Sequence, residues 1–164
     1  MRFEKFSERA QDAANRAAEI TQRYGHNQLD TEHILMALIE QPEGMVGKIL
    51  ETLNVDPGEL AQRLDALLRT NPKAGIYGGP AGQIFLTPRV SDVVESAKAE
   101  ATRMRDEYIS TEHLFLAIVA EKNTQLAGLL QEFGLNHQAV VNALEELRGG
   151  KKAAGGRSDT RFKT

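Results

Sequence analysis

Six consecutive apolar residues stand twice in this chain, at Ile34 to Ile39 and at Leu114 to Val119, each directly after the tripeptide Thr-Glu-His. A run that is apolar nearly all round predicts a helix buried at the centre of a fold. The two runs are 80 residues apart, and the polar positions around them keep the same offset: Ser7-Glu8-Arg9 aligns with Thr87-Pro88-Arg89, Asp12 with Asp92, Arg23 with Arg103, and Leu50, Leu64 and Leu67 with Leu130, Leu144 and Leu147. One unit is therefore used twice.

Capping residues divide each copy into four helices. Ser7 predicts a helix to about Tyr24, stopped by Gly25; Thr87 opens its counterpart with Pro88 at the first helical position. Asp30 and Ser110 cap the apolar runs. Third helices are expected at about Met45–Leu53 and Thr124–Phe133, with Asn123 capping the latter. Asp56-Pro57-Gly58-Glu59 and Asn136 open the fourth pair. No segment alternates with period two for long enough to indicate a sheet. The fold class expected is all-α, eight helices as two pseudo-twofold-related four-helix repeats, at residues 1–69 and 86–148. Between them lies a Gly/Pro-rich connection (70–85), and residues 149–164 form a flexible basic linker. Alanines at 10, 13, 14, 17 and 18 let neighbouring helices approach closely.

Composition narrows the function classes. The chain has 164 residues, 41% hydrophobic, and a net charge of −3. Residues 149–164 hold five basic side chains against the single Asp159, so the body is more acidic than that figure suggests. An acidic body without a basic stripe argues against nucleic acid as a partner. No apolar run reaches membrane-spanning length and no secretory signal opens the sequence, so a soluble, cytoplasmic chain is expected. Cysteine is absent, which removes disulfides, thiol nucleophiles and thiolate metal sites.

Catalytic and cofactor signatures are missing. Gly78 to Gly82 lacks the Lys-Ser or Lys-Thr of a phosphate-binding loop, and His26, His33, His113 and His137 include no pair at metal-ligand helical spacing. Neither a catalytic residue, a metal nor a cofactor is expected in this chain. Glu32 with His33 does not make an acid–base pair, because adjacent helix residues point about 100° apart.

The repeated Thr-Glu-His has two readings. In one it is structural: the glutamate in the first turn favours the helix dipole by about 0.3–1 kcal/mol, and the histidine bonds a nearby backbone group. In the other, Glu32 and Glu112 are equivalent carboxylates offered to cationic partners, guanidinium groups above all.

The doubled pattern, the opening Phe6-Ser7-Glu8-Arg9-Ala10-Gln11, the Gly25-His26-Asn27 turn and the two Thr-Glu-His runs resemble the N-terminal domain of the Clp family of AAA+ unfoldases, the ClpC and ClpB chaperones. The likeness covers residues 1 to about 150. The motifs and opening look like ClpC; the long connection and Leu147-Arg148-Gly149-Gly150 look like ClpB. The resemblance implies a docking module for unfolded or tagged protein substrates and for adaptor proteins, tethered to a hexameric ATPase ring, with or without a peptidase. ATP and Mg would belong to the ATPase modules, none of which lies in these residues. A separate accessory protein that binds a Clp protease assembly is the alternative. In ClpC-type members the domain also recognises phosphorylated arginine, and the matching positions would be Glu32 with Ser7 and Glu112 with Thr87. Arg105-Asp106-Glu107 replaces Gly25-His26-Asn27 in copy two. Acidic neighbours repel a phosphate, so the two sites need not bind equally.

Overall fold

The computed structural model describes residues 3–70 and 83–149. Local capping sets where each helix begins. Ser7 Oγ accepts the Ala10 N–H at 3.1 Å and starts α1 (Glu8–Arg23), which Gly25 closes at φ +71°. Two extended residues, β1 (Gln28–Leu29), lead into α2 (Thr31–Glu40). Then come α3 (Met45–Thr52) and α4 (Pro57–Thr70), the latter preceded by Asp56, whose Oδ1 accepts the Gly58 N–H at 2.9 Å.

The second repeat follows the same order: β2 (Phe85–Leu86), α5 (Pro88–Arg103), α6 (Thr111–Val119), α7 (Gln125–Glu132) and α8 (His137–Leu147). Arg105, at the place of Gly25, is held at φ +62°. Thr124 caps α7 in place of the expected Asn123. Its hydroxyl accepts the Ala127 N–H at 2.9 Å, while Asn123 takes the left-handed turn at φ +63°. Asn136 caps α8 as expected.

Among the described residues the fold is all-α with eight helices, and its two copies share one core. Leu35, Leu38, Phe115 and Ile118 of the central helices are buried, with Ala10, Ala13 and Ala17 sealing α1 against α2. Across the copies α2 packs on α6, α3 on α8 and α4 on α7. The expected connection over 70–85 and the linker over 149–164 fall largely outside the described residues. Phe85, however, belongs to a strand and not to the connection.

That strand carries the feature that positions the sites. β2 pairs in parallel with β1, Gln28 opposite Phe85 and Leu29 opposite Leu86. The equivalent residues of the other half make the same contact in reverse, because Phe6 bridges Ile109 in parallel. Each copy thus hooks its leading residues onto the other copy, just ahead of the other's central helix.

Candidate functional site: two crossed helix starts

The Thr-Glu-His motif is first a capping device. Asp30 and Ser110 are the N-caps of α2 and α6, and the histidine three residues on completes a capping box by accepting the cap residue's own N–H. His33 Nδ1 accepts from Asp30 N–H, and His113 Nδ1 from Ser110 N–H, both at 2.9 Å. A ring nitrogen that accepts carries no proton, so each ring has its hydrogen on Nε2. His33 directs that hydrogen to His26 Nδ1 at 2.9 Å, and His113 directs it to Asp106 Oδ2 at 2.8 Å. The backbone bond expected of the histidine is therefore present in both copies.

The strand pairs decide which first-helix cap meets which motif. Ser7 N–H donates to the Ile109 carbonyl at 2.9 Å, one residue before the α6 cap, and Thr87 N–H donates to the Leu29 carbonyl at 3.1 Å, one residue before the α2 cap. Ser7 therefore lies at the junction of α1 with α6, and Thr87 at that of α5 with α2. The sequence pairs Glu32 with Ser7 and Glu112 with Thr87; the backbone bonds instead bring Ser7 to the start of α6 and Thr87 to the start of α2, because the copies exchange their leading residues.

At the α2/α5 junction the cap of α2 is itself an anion. Asp30 is 0% exposed, and its carboxylate accepts the Thr31 N–H at 2.8 Å, the Thr87 hydroxyl at 2.9 Å and the Arg89 Nε–H at 3.2 Å, while Arg89 Nη2 bonds its other oxygen. The Thr87 hydroxyl is directed to Asp30 and makes no cap bond within α5. Arg89 holds its proton more firmly for its bond to Asp30. Glu121 completes the group. Burial pushes its carboxyl above the usual range and the nearby Asp30 and Glu32 add to that, against a bond from Thr31 and the charge of Arg89.

The α1/α6 junction is built from the same offsets with different chemistry. Ser110 stands for Asp30, Gln41 for Glu121 and Arg9 for Arg89. Arg9 Nη2 donates to the Pro42 carbonyl at 2.9 Å, and the Gln41 amide donates to the Arg9 carbonyl at 2.9 Å. Glu112 is 0% exposed and is reached by Arg148 Nη2 at 3.2 Å; that guanidinium also bonds Asp106 at 3.0 Å. Burial raises the Asp106 carboxyl, but the bonds from His113 and Arg148 outweigh it and hold the group below the usual range. Asp106 is thus held ionised and paired inside the protein, its side chain 3% exposed.

Both motif glutamates are interior, Glu32 at 4% exposure and Glu112 at 0%. Beside Ser7, Glu32, Thr87 and Glu112, which the motifs single out, the junctions hold Arg9, Arg89, Glu121 and Arg148, which no motif marks. The positions where the offset changes residue type, Asp30/Ser110, Gln41/Glu121 and Leu68/Arg148, were the available signal.

Elsewhere, a cleft of about 560 Å³ lies between α1, α2 and α4, lined by Arg23, Tyr24, His26, Glu40, Asp65 and Arg69. Its charges are paired internally, Arg23 with Glu40 at 2.9 Å and Arg69 with Asp65 at 2.9 Å. An apolar seam joins the copies at Phe3, Phe6, Leu29, Val90 and Leu114, with a void of about 10 Å³, too small for a side chain. Among the described residues no group of three or more His, Cys, Asp or Glu side chains is arranged to hold a metal ion, and no helix is long and apolar enough to cross a membrane.

A doubled four-helix fold whose copies exchange their leading strands defines a class of paired-repeat domains. Residues 5–133 match the family described as "Clp repeat (R) N-terminal domain", and the chain belongs to that family. It is 34% identical over 149 residues to the chaperone protein ClpB of Nitratidesulfovibrio vulgaris, covering 90% of this chain and 17% of that protein. It is 30% identical over 168 residues to the negative regulator of genetic competence ClpC/MecB of Bacillus subtilis, covering 100% of this chain and 20% of that protein. The chain therefore spans about a fifth or less of the length of these relatives. Among solved structures, the Hsp104 N-terminal domain of Candida albicans superposes with a TM-score of 0.74 at 21% identity, over 91% of this chain and 95% of that one.

Proposed function

We propose that this domain docks protein substrates and adaptors for a Clp-type ATP-dependent unfoldase or disaggregase, and that it recognises arginine-phosphorylated proteins at a Thr-Glu-His helix start. The domain itself carries out no catalysis; ATP and Mg serve the ATPase modules of a parent ring, and the partners are unfolded or tagged chains. The observation that carries this reading is the convergence, in each half, of two helix N-termini beside a buried glutamate, held by the Ser7–Ile109 and Thr87–Leu29 backbone bonds.

The chemistry fits a two-ended ligand. Free N–H groups and the positive end of a helix attract a phosphate, and a carboxylate accepts hydrogen bonds from a guanidinium. Phe85 and Leu86, exposed on the outer strand of the β1/β2 pair, add apolar surface suited to an unfolded segment. Binding at one domain would be modest, and several domains on one ring would raise the effective concentration.

The test is a calorimetric titration with a phosphoarginine peptide, its unmodified arginine twin and a phosphoserine control. Selective binding of the first, lost in Glu32→Gln/Glu112→Gln, supports the tag reading. A folded domain that ignores the phosphoarginine peptide sinks it and leaves apolar client docking.

A further inference from the structure

We propose that the two helix starts are not equivalent: a phosphate group is accepted only at the α1/α6 junction, by Arg9, Ser7 and Thr111, because the α2/α5 junction is already closed by its own anion, Asp30. This rests on the reading above and assigns the tag to one site per domain.

Asp30 supplies the closure. An entering phosphate at α2/α5 would seek the Thr31 N–H, the Thr87 hydroxyl and the Arg89 guanidinium, and the Asp30 carboxylate already bonds all three. The glutamates at 32 and 121 leave three carboxylates facing one guanidinium, a field that repels a dianion.

The α1/α6 junction lacks that internal anion. Its cap is the uncharged Ser110, whose hydroxyl lies 2.9 Å from its own His113. The Thr111 hydroxyl, on a residue 1% exposed, has no hydrogen-bond partner, whereas its counterpart Thr31 bonds Glu121. Buried Arg9 Nε likewise has no acceptor. Glu112 Oε1 also has no donor, Arg148 being spent on the other oxygen. Two convergent helix N-termini, a cation and a buried hydroxyl without a partner are what a phosphate requires. The sequence pointed the other way, since Asp106 and Glu107 in copy two suggested the weaker site near Glu112. Burial of Asp106 against Arg148 removes half of that objection.

The experiment is an NMR titration of the 164-residue chain with phosphoarginine, with inorganic phosphate and arginine as separate arms. Backbone shifts confined to residues 7–10 and 110–113, a stoichiometry near one, and at least tenfold weakening in Arg9→Gln and Thr111→Val are expected. Asp30→Ser/Glu121→Gln should then open a second site. If that variant fails to fold, the shift map of the wild type decides alone. Two sites of similar affinity, or shifts at residues 30–33 and 87–90, overturn the proposal while phosphoarginine recognition stands. No response to phosphoarginine in the wild type or in Asp30→Ser/Glu121→Gln removes both.

Discussion

Arg148 Nη2 lies 3.2 Å from Glu112 Oε2, joining the C-cap residue of α8 to the glutamate of the second motif. The position is Leu68 in the first copy, and where Arg148 also bonds Asp106, the first copy has His26. Two changes compensate each other: an aspartate introduced into the interior is tolerable because a guanidinium arrives with it.

That compensation can be measured. Arg148→Leu leaves Asp106 and Glu112 buried without their cation and should cost roughly 3–5 kcal/mol in urea unfolding. Adding Asp106→His restores the pairing seen between His26 and His33 and should recover most of the loss. Additive costs in the double variant would mean that the two positions are not coupled.

The central helices give a second expectation. Leu38→Ala and Ile118→Ala should each cost about 2–5 kcal/mol, since both side chains are buried in the shared core. A thermal-melt difference near zero for either would place that side chain outside the core.

Acid should act at the two junctions with opposite signs. Asp106 has a folded-state carboxyl below its ordinary 3.8, so its stabilisation is complete above that value and is lost as pH falls further. Glu121 is raised above its ordinary 4.5; its contribution is favourable below that value and disappears as pH rises through the folded-state value. Asp106→Asn should therefore lower stability at neutral pH and flatten the fall in stability below pH 4. Glu121→Gln should raise stability at pH 7 and change little at pH 4. Urea midpoints measured from pH 3 to 7 read both effects, and matching pH profiles for the two variants would refute this division.

Tyr24 offers a spectroscopic check. Burial and a hydrogen bond to Asp65 push its phenol up to about 12. The alkaline absorbance difference between the wild type and Tyr24→Phe should stay flat to about pH 11. An ionisation step near 10 would show that the Asp65 bond is absent in solution.

The helices were legible because each start carries its own chemistry. Ser7, Asp30, Asn136 and the repeated apolar runs state locally where a helix begins and which one is buried. Thr124 rather than Asn123 caps α7, since a left-handed residue before a cap leaves no local signature distinguishing the two. The crossing of the copies could not be read, because a two-residue strand is too short for alternation to show and its partner lies some 57 residues away at Gln28/Phe85. The same-copy pairing of Ser7 with Glu32 and of Thr87 with Glu112 therefore follows from sequence offset alone, whereas the backbone bonds bring Ser7 to the α6 start and Thr87 to the α2 start. The self-closure at Asp30 stayed hidden for the same reason: as a cap it looks like any aspartate, until Arg89 arrives from the other copy.

The reciprocal hooks have one more consequence. Phe6 on Ile109 and Leu86 on Leu29 are the contacts by which two identical subunits would grip each other, here made within one chain. Either half alone would present an unfilled edge and a tail with nowhere to lie. The molecule is in effect a covalently joined homodimer, and its halves, produced as separate fragments, should find each other and rebuild the fold.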